Sequence, residues 1–303
     1  MQPQYSYESL LQTSRRINWR VDDIIGGERH LDFSKPFLPE TFARTEPLAF
    51  LAPNEKLLLN HIRAHCYLAM FELVETFIVP FVNDQADADE ETNSSREAAL
   101  QHFAQEEAKH MELFRRFRRE FSETSGIECG LIGPPGDIAR AVLAHGDLAV
   151  TLLVLGLEWM SQAHYVEGVK DDRDLDPQFK SLLKHHWIEE AQHAKLDMLI
   201  LREMVARSTS AEIDRAIDEY FEMGAFFDAG FKQQAALDLE SFERAAGRSL
   251  SESERAQFIE AQHQALRWTF LGSHMVNPNF LSALGSLGGD ARSRVERAAA
   301  IFC

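Results

Sequence analysis

Cysteine is scarce in this chain. Cys66, Cys129 and Cys303 are the three thiols among 303 residues. They are too few and too scattered for a disulfide framework or a thiolate zinc site, so a reducing cytoplasm is the expected setting. Basic charge is short as well. The 31 Lys and Arg face 48 Asp and Glu, a formal charge of −17 at pH 7. A phosphate backbone is bound by clustered Lys and Arg, so no nucleic-acid partner is expected, and no anionic membrane surface either. No apolar run reaches the ~20 residues of a membrane span. The longest, Leu148 to Leu157, is interrupted by Thr151 and Gly156 and reads as a buried helix. The opening Met1-Gln2-Pro3-Gln4-Tyr5 shows no basic stretch leading into an apolar core, so no signal peptide is expected. No segment alternates with the period of a strand.

What is present is helical spacing. Hydrophobic residues make up 45% of the chain, enough for a sizeable core. The length fits two domains or one large helical one. Residues 1–53 hold Gly26-Gly27 and four prolines from Pro36 to Pro53, and read as an irregular lead-in. A long helix is expected from about Asn54 to Val82. It places His61, His65, Leu68, Glu72, Glu75 and Val79 on one face, with Pro80 near its end. The acidic stretch Asn83 to Ser95 reads as a mobile loop. Ser94 and Glu97 have capping-box spacing and open a second helix to about Phe121. Asp137 is expected to cap a short helix ending at Gly146, and Asp147 to cap the next, to about Val169. Asp176-Pro177 pairs an N-cap with proline at the first helical position and opens a fourth long helix to about Arg207. Two more helices are expected over about 211–246 and 252–275, split near Gly247. A short tail from Asn277 leaves room for a last one. The class is therefore all-α, with a lead-in (1–53), a core (54–207) and C-terminal helices packed on the core (208–303). The amphipathic C-terminal helices hint at a homodimer.

Two of these helices carry the same short pattern. Glu107-Ala108-Lys109-His110 and Glu190-Ala191-Gln192-His193 are both Glu-x-x-His, which sets a carboxylate and an imidazole on one helical face, close enough to hold one metal. With 30 Glu and 12 His, random placement gives about one such pattern, and three occur. The arrangement therefore has to decide. Glu158 lies inside the apolar run Leu152 to Met160 and Glu75 inside Leu73 to Val79. A carboxylate in such a stretch is costly unless paired, neutral or metal-bound. Glu107 follows Glu75 by 32 residues, and Glu190 follows Glu158 by 32. The chain thus holds one two-helix unit twice. A four-helix bundle builds a two-metal site in this way, with Glu-x-x-His from two helices and one Glu from each of the others. Glu72 shares a face with Glu75 and is its rival, and the repeat favours Glu75. His186 shares a face with Glu190 and His193 and is a candidate further ligand, while His185 points elsewhere. His61, His65, Tyr67, Trp159, His164 and Tyr165 are read as packing or supporting groups. An acid behind each ligating imidazole is expected, without an assignment. The third copy, Glu260-x-x-His263, has Asp228 32 residues before it. Folding about a loop near residue 249 leaves Asp228 roughly 15 Å from the level of Glu260 at ~1.5 Å per residue, so this copy is read as structural or surface.

On Glu75, Glu107-x-x-His110, Glu158 and Glu190-x-x-His193 the chain resembles the ferritin-like diiron carboxylate proteins over residues 54–207. The run His186-Trp187-Ile188-Glu189-Glu190-Ala191-Gln192-His193 is similar to the last ligand helix of the p-aminobenzoate N-oxygenase family, His-x-x-x-Glu-x-x-His. The Glu-Glu-x-x-His ending also looks like that of a bacterial family of predicted metal-dependent hydrolases. The resemblance implies a ferritin-like four-helix bundle with additional C-terminal helices. It implies a site of two iron ions, with Mn/Fe or Mn as alternatives, that activates O2 toward a small organic substrate. In such a site Glu107 and Glu158 would bridge and act in catalysis. Glu75 and Glu190 would bind terminally or bridge, and His110 and His193 would anchor one ion each. The electron donor is left open. Three other readings compete: an iron-binding ferroxidase-like protein, a hydrolase using a metal-bound hydroxide, and a metal-free bundle.

Overall fold

The computed structural model describes residues 5–87 and 94–303. Among them the regular structure is helical, and β pairing is confined to an isolated Gly26–Arg29 bridge. The lead-in forms α1 (Tyr7–Ser14), α2 (Val21–Ile24) and α3 (Glu40–Ala43). Ser6 starts α1, accepting from the Ser9 N–H while Ser9 returns the bond.

The bundle consists of α4 (Pro53–Asp87), α5 (Ser94–Ser125), α7 (Asp147–Ala163) and α8 (Pro177–Arg207), with the short α6 (Pro135–Leu143) between the two pairs. α4 folds back along α5, α7 packs along α8, and α5 touches α8 across the middle. α4 runs through Pro80, five residues past the expected stop. A proline inside a helix costs about 3 kcal/mol. Here Phe77, Ile78, Phe81 and Val82 are all buried around it, and packing outweighs the lost hydrogen bond. The expected loop therefore shrinks: residues 83–87 and 94–95 are helical, and 88–93 lie outside the described residues. Two expected caps are corrected. Asp137 sits inside the first turn of α6, after Pro134 at the cap, and α6 stops at Leu143. Asp147 is the first residue of α7, after Gly146, and accepts instead from the Gln85 side chain at 3.1 Å. The α8 cap is as expected, with Asp176 accepting from the Phe179 N–H at 2.6 Å.

α7 ends in a π-helical turn, His164–Val169. Every residue from Leu148 to Leu157 is buried, which is why that stretch is apolar on all sides. α4 is long and apolar enough to cross a membrane, but 78% of its most apolar window is buried inside the protein, as in a core helix.

The remaining helices cover the bundle. α9 (Ser210–Ala246) lies over α4 and α7 and stops at Gly247, whose φ of +67 closes the helix in the left-handed region. α10 (Glu252–Arg267) returns along α9 and ends in a second π turn, Trp268–Gly272. α11 (Ser273–Met275), α12 (Pro278–Gly285) and α13 (Ala291–Phe302) follow, two tail helices where the sequence suggested one. On the other side α1 lies across α5 and α8. A large apolar core runs through the lead-in, the bundle and these outer helices, and a smaller one joins Leu48 and Leu51 to Leu59 and Ile62 of α4, Phe242 of α9 and Phe258 of α10.

Candidate metal centre

Glu75 from α4, Glu107 and His110 from α5, Glu158 from α7, and His186, Glu190 and His193 from α8 meet inside the bundle, and all seven are buried. Donor atoms of Glu107, His110, Glu190 and His193 lie within 4.8 Å of one another, and so do those of Glu75, His110 and His186. The two groups share His110. Glu75 sits against Glu107, and Glu158 against Glu190, so each 32-residue pair meets across its own helix pair. Glu72 turns away and takes Arg115 and Arg118 at the rim.

His110 Nδ1 bonds Glu107 Oε2 at 3.0 Å, but most of the residues here keep an atom without a partner. Glu75 Oε2, Glu107 Oε1, Glu158 Oε2, His186 Nε2, Glu190 Oε1 and His193 Nδ1 are buried and accept or donate no hydrogen bond. His193 Nδ1 is only 2.8 Å from Glu107 Oε1 and 3.3 Å from Glu190 Oε1, yet neither contact is aligned as a hydrogen bond. A buried polar atom with no partner costs about 1–3 kcal/mol, and six together call for a ligand.

Electrostatics tell the same story. Burial, then the charge of Glu107, pushes the Glu75 carboxyl well up, and burial, then the charge of Glu190, does the same to Glu158. Burial opposes ionisation of Glu190 too, but His186 and a hydrogen bond from Glu158 bring it down to about 2. Burial works against protonating His110, yet its bond to Glu107 and that carboxylate's charge lift it to about 9. His193 is also raised, against burial, by the Glu107 charge. Burial leaves His186 at about 4. Without a cation, the shifts favour protonation of Glu75 and Glu158 and of the His110 and His193 imidazoles. A divalent pair would replace those protons.

Behind the imidazoles stand the acids the sequence did not assign. Glu106 of α5 accepts from His193 Nε2 of α8 at 3.0 Å, and Glu189 of α8 accepts from His110 Nε2 of α5 at 2.9 Å. Each fixes the outer nitrogen and leaves the inner one for a metal. Glu106 is held in turn by Ser14 of α1 at 2.5 Å, and Glu189 by Lys109. The Glu-Glu doublet in both motifs was the available signal. Which helix each outer acid would reach was not readable, because that depends on how α5 crosses α8. Aromatic rings complete the wall: Phe103 stacks on His193 at 4.0 Å, and Phe71 and Phe114 meet His186 edge-on. Asp197, one turn past His193, is buried with both oxygens unpartnered, and burial pushes its carboxyl up.

The supporting residues fall outside the cluster. His61 bonds the Lys35 carbonyl, and His65 lies beside Phe121. Tyr67 Oη is 3.0 Å from His164 Nδ1, and Tyr165 stacks on Trp187. Trp159 passes its carbonyl to Asn277. In the third Glu-x-x-His, His263 lies 2.8 Å from Asp228, which also takes Arg267 at 2.6 Å, a surface ion cluster away from the bundle site. Glu260 is exposed.

No protein-family model matches the chain, and no curated protein matches it. Among solved structures, R2-like ligand-binding oxidases align over most of its length. A variant with an Mn/Fe cofactor aligns at a TM-score of 0.48 and 14% identity, covering 88% of this chain and 94% of that one. A variant with an Fe/Fe cofactor gives 0.45 and 14%, over 89% and 94%. One with a non-activated Mn/Mn cofactor gives 0.44 and 13%, over 88% and 94%.

Proposed function

We propose that this protein is a dinuclear non-haem metal enzyme that uses O2 to oxidise a small organic substrate. The carrying observation is the pair of buried donor groups, Glu107/His110/Glu190/His193 and Glu75/His110/His186, each with donor atoms within 4.8 Å, in which five atoms have no hydrogen-bond partner. Four carboxylates and three imidazoles without a thiolate suit iron or manganese. Seven donors exceed what one tetrahedral zinc takes. Glu75, His110 and His186 would hold one ion, Glu158 and His193 the other, with Glu107 and Glu190 between them. When bound, the metal pair supplies electrons to O2 and oxidising power to the substrate. The chain's own residues prepare that step. Glu106 and Glu189 keep the imidazoles turned inward. Glu75 and Glu158, whose burial favours the protonated form, would release any proton they hold when metal enters. Beside them, one residue along α4 and α7, is a cavity of about 20 Å³ lined by apolar side chains including Met70, Val74, Leu153, Leu157, Phe227 and Phe270. Room for about one small molecule, in dry surroundings, suits O2 better than the water a hydrolase needs. The spacing His186-x-x-x-Glu190-x-x-His193 makes an aromatic amine the first substrate class to try.

Anaerobic loading with Fe(II) followed by O2 tests this reading. Two metal equivalents per chain and a new visible absorption on mixing are expected, both lost in Glu107→Gln. Absence of bound metal would end it. Iron that binds but stays colourless with O2 would overturn the oxidase reading in favour of hydrolysis or storage.

A further inference from the structure

The lead-in ends its third helix on a residue that the backbone does not favour. Arg44 follows α3 with φ +47 and ψ +52, in the left-handed region, and no other non-glycine residue lies at positive φ among the described residues. A helix ending of this kind ordinarily takes Gly or Asn, and a longer side chain is strained there. The turn is held all the same. Gln262 of α10, fully buried, donates to the Ala43 and Arg44 carbonyls at 3.2 and 3.1 Å and leaves its own Oε1 without a partner. Strain and an orphaned amide oxygen are both tolerated to keep this arginine where it is. Arg44 lines a pocket of about 410 Å³ between the lead-in and α10, with Pro47, Leu48 and Ala261 as its apolar wall. His263 and Arg267 line it too, and Asp228 engages both, at 2.8 and 2.6 Å. Two charges in the pocket then have no ion pair among the described residues, the Arg44 guanidinium and the Glu260 carboxylate. The pocket shares no residue with the metal centre or with the apolar cavity beside it.

We propose that this pocket binds a free amino acid with an apolar side chain, its carboxylate on Arg44, its ammonium on Glu260 and its side chain against Pro47, Leu48 and Ala261. A guanidinium offers a carboxylate two parallel N–H donors, and a carboxylate accepts from an ammonium. One unpaired group of each sign therefore fits a zwitterion. A plain anion would meet Glu260 as a like charge, and a plain cation would meet Arg44. The room is that of a small organic molecule rather than of a bare ion. The occupant would join α3 to α10, so its binding stabilises the folded chain by mass action. None of these groups is a candidate metal ligand, and the inference stands apart from the dinuclear reading.

The probe is L-phenylalanine, titrated calorimetrically into the full chain and followed by thermal melting at up to about 10 mM. One site per chain and a Tm that climbs with concentration are expected. N-acetyl-L-phenylalanine lacks the ammonium and L-phenylalaninamide lacks the carboxylate, and each should bind at least ~10-fold more weakly. Arg44→Gly should lose the response to L-phenylalanine, while the ligand-free variant melts no lower than the parent because glycine relieves the left-handed strain. Glu260→Gln, on an exposed residue, should weaken L-phenylalanine at least ~10-fold and leave the N-acetyl compound within about two-fold of its affinity for the parent. Metal-loaded and chelator-treated protein should bind alike within about two-fold, so a failure of the dinuclear reading leaves this test intact. No binding of L-phenylalanine by the parent would overturn the proposal. Equal binding by the parent and Arg44→Gly would overturn the assignment to this pocket. Tighter binding of the N-acetyl compound than of L-phenylalanine would overturn the zwitterion in favour of a plain anion.

Discussion

Two charged clusters are buried along α4, and they are built differently. Near its start, Arg63 and Asp238 of α9 form an ion pair at 3.1 Å, with side chains 1% and 0% exposed. The second Asp238 oxygen accepts from Gln234 at 2.8 Å, and Cys66 Sγ lies against the guanidinium. Both carboxylate oxygens are used within the protein. Three turns on, Glu75 joins six other donors of which most have an atom with no partner. The first cluster pairs its one carboxylate with a cation of its own and leaves only Arg63 Nε without a partner. The second crowds four carboxylates and three imidazoles together and leaves six of their atoms without a partner. Burial of charge is common to both. What marks the candidate metal site is how much it leaves unsatisfied.

Substitutions can break this contrast. The largest effect is expected at the closed pair. Asp238→Ala strands a buried guanidinium and should cost about 3–5 kcal/mol by chemical denaturation, with metal stoichiometry per folded molecule unchanged. At the open cluster, loss of an outer acid should spare the fold and weaken the metal. Glu106→Gln and Glu189→Gln should each lower metal affinity about 10–100-fold in a competition assay. Equal losses of stability at both places would erase the distinction.

Removing a ligand carboxylate should act in the opposite direction to Asp238→Ala. Glu158→Gln takes away a crowded acid, so the metal-free protein should melt about 2 °C higher, equivalent to ~1 kcal/mol. The same groups set the pH dependence. Glu75 and Glu158 are raised above the ordinary 4.5, so their contribution to metal-free stability is full below that value and is lost as pH rises through their folded pKa. His110, raised from 6.5 to about 9, contributes fully below 6.5 and loses its share as pH climbs through about 9. The rise in Tm on adding Mn(II) should therefore be larger at about pH 8 than at about pH 5.5 in a thermal melt. A rise that shrinks with pH would mean that the cluster is already ionised without metal. The smallest effect belongs to the third motif: Glu260→Ala, exposed, should stay within ±0.5 kcal/mol and leave metal binding alone.

The meeting of the seven inner residues was legible because two signals agreed. Glu75 and Glu158 sit in apolar runs where a lone acid is costly, and both stand 32 residues before a Glu-x-x-His. Spacing along a helix fixes which residues share a face, and that is local. What depended on one element crossing another was not legible. Glu106 and Glu189 find their imidazoles across the α5–α8 contact. Ser14 and Trp19 reach the site from a lead-in with no helical period to follow. Pro80 looks like a stop until the buried rings around it are known.

The crossed bonds Glu106–His193 and Glu189–His110 have a consequence for assembly. Apolar helices can slip past one another by a turn and still bury similar side chains. These two cannot, because a shift of α5 along α8 breaks both bonds at once and strands two acids and two imidazoles in the core. The alignment of the bundle and the aim of its imidazoles are then a single event. A chain that folds with the helices out of step has no low-energy place to stop.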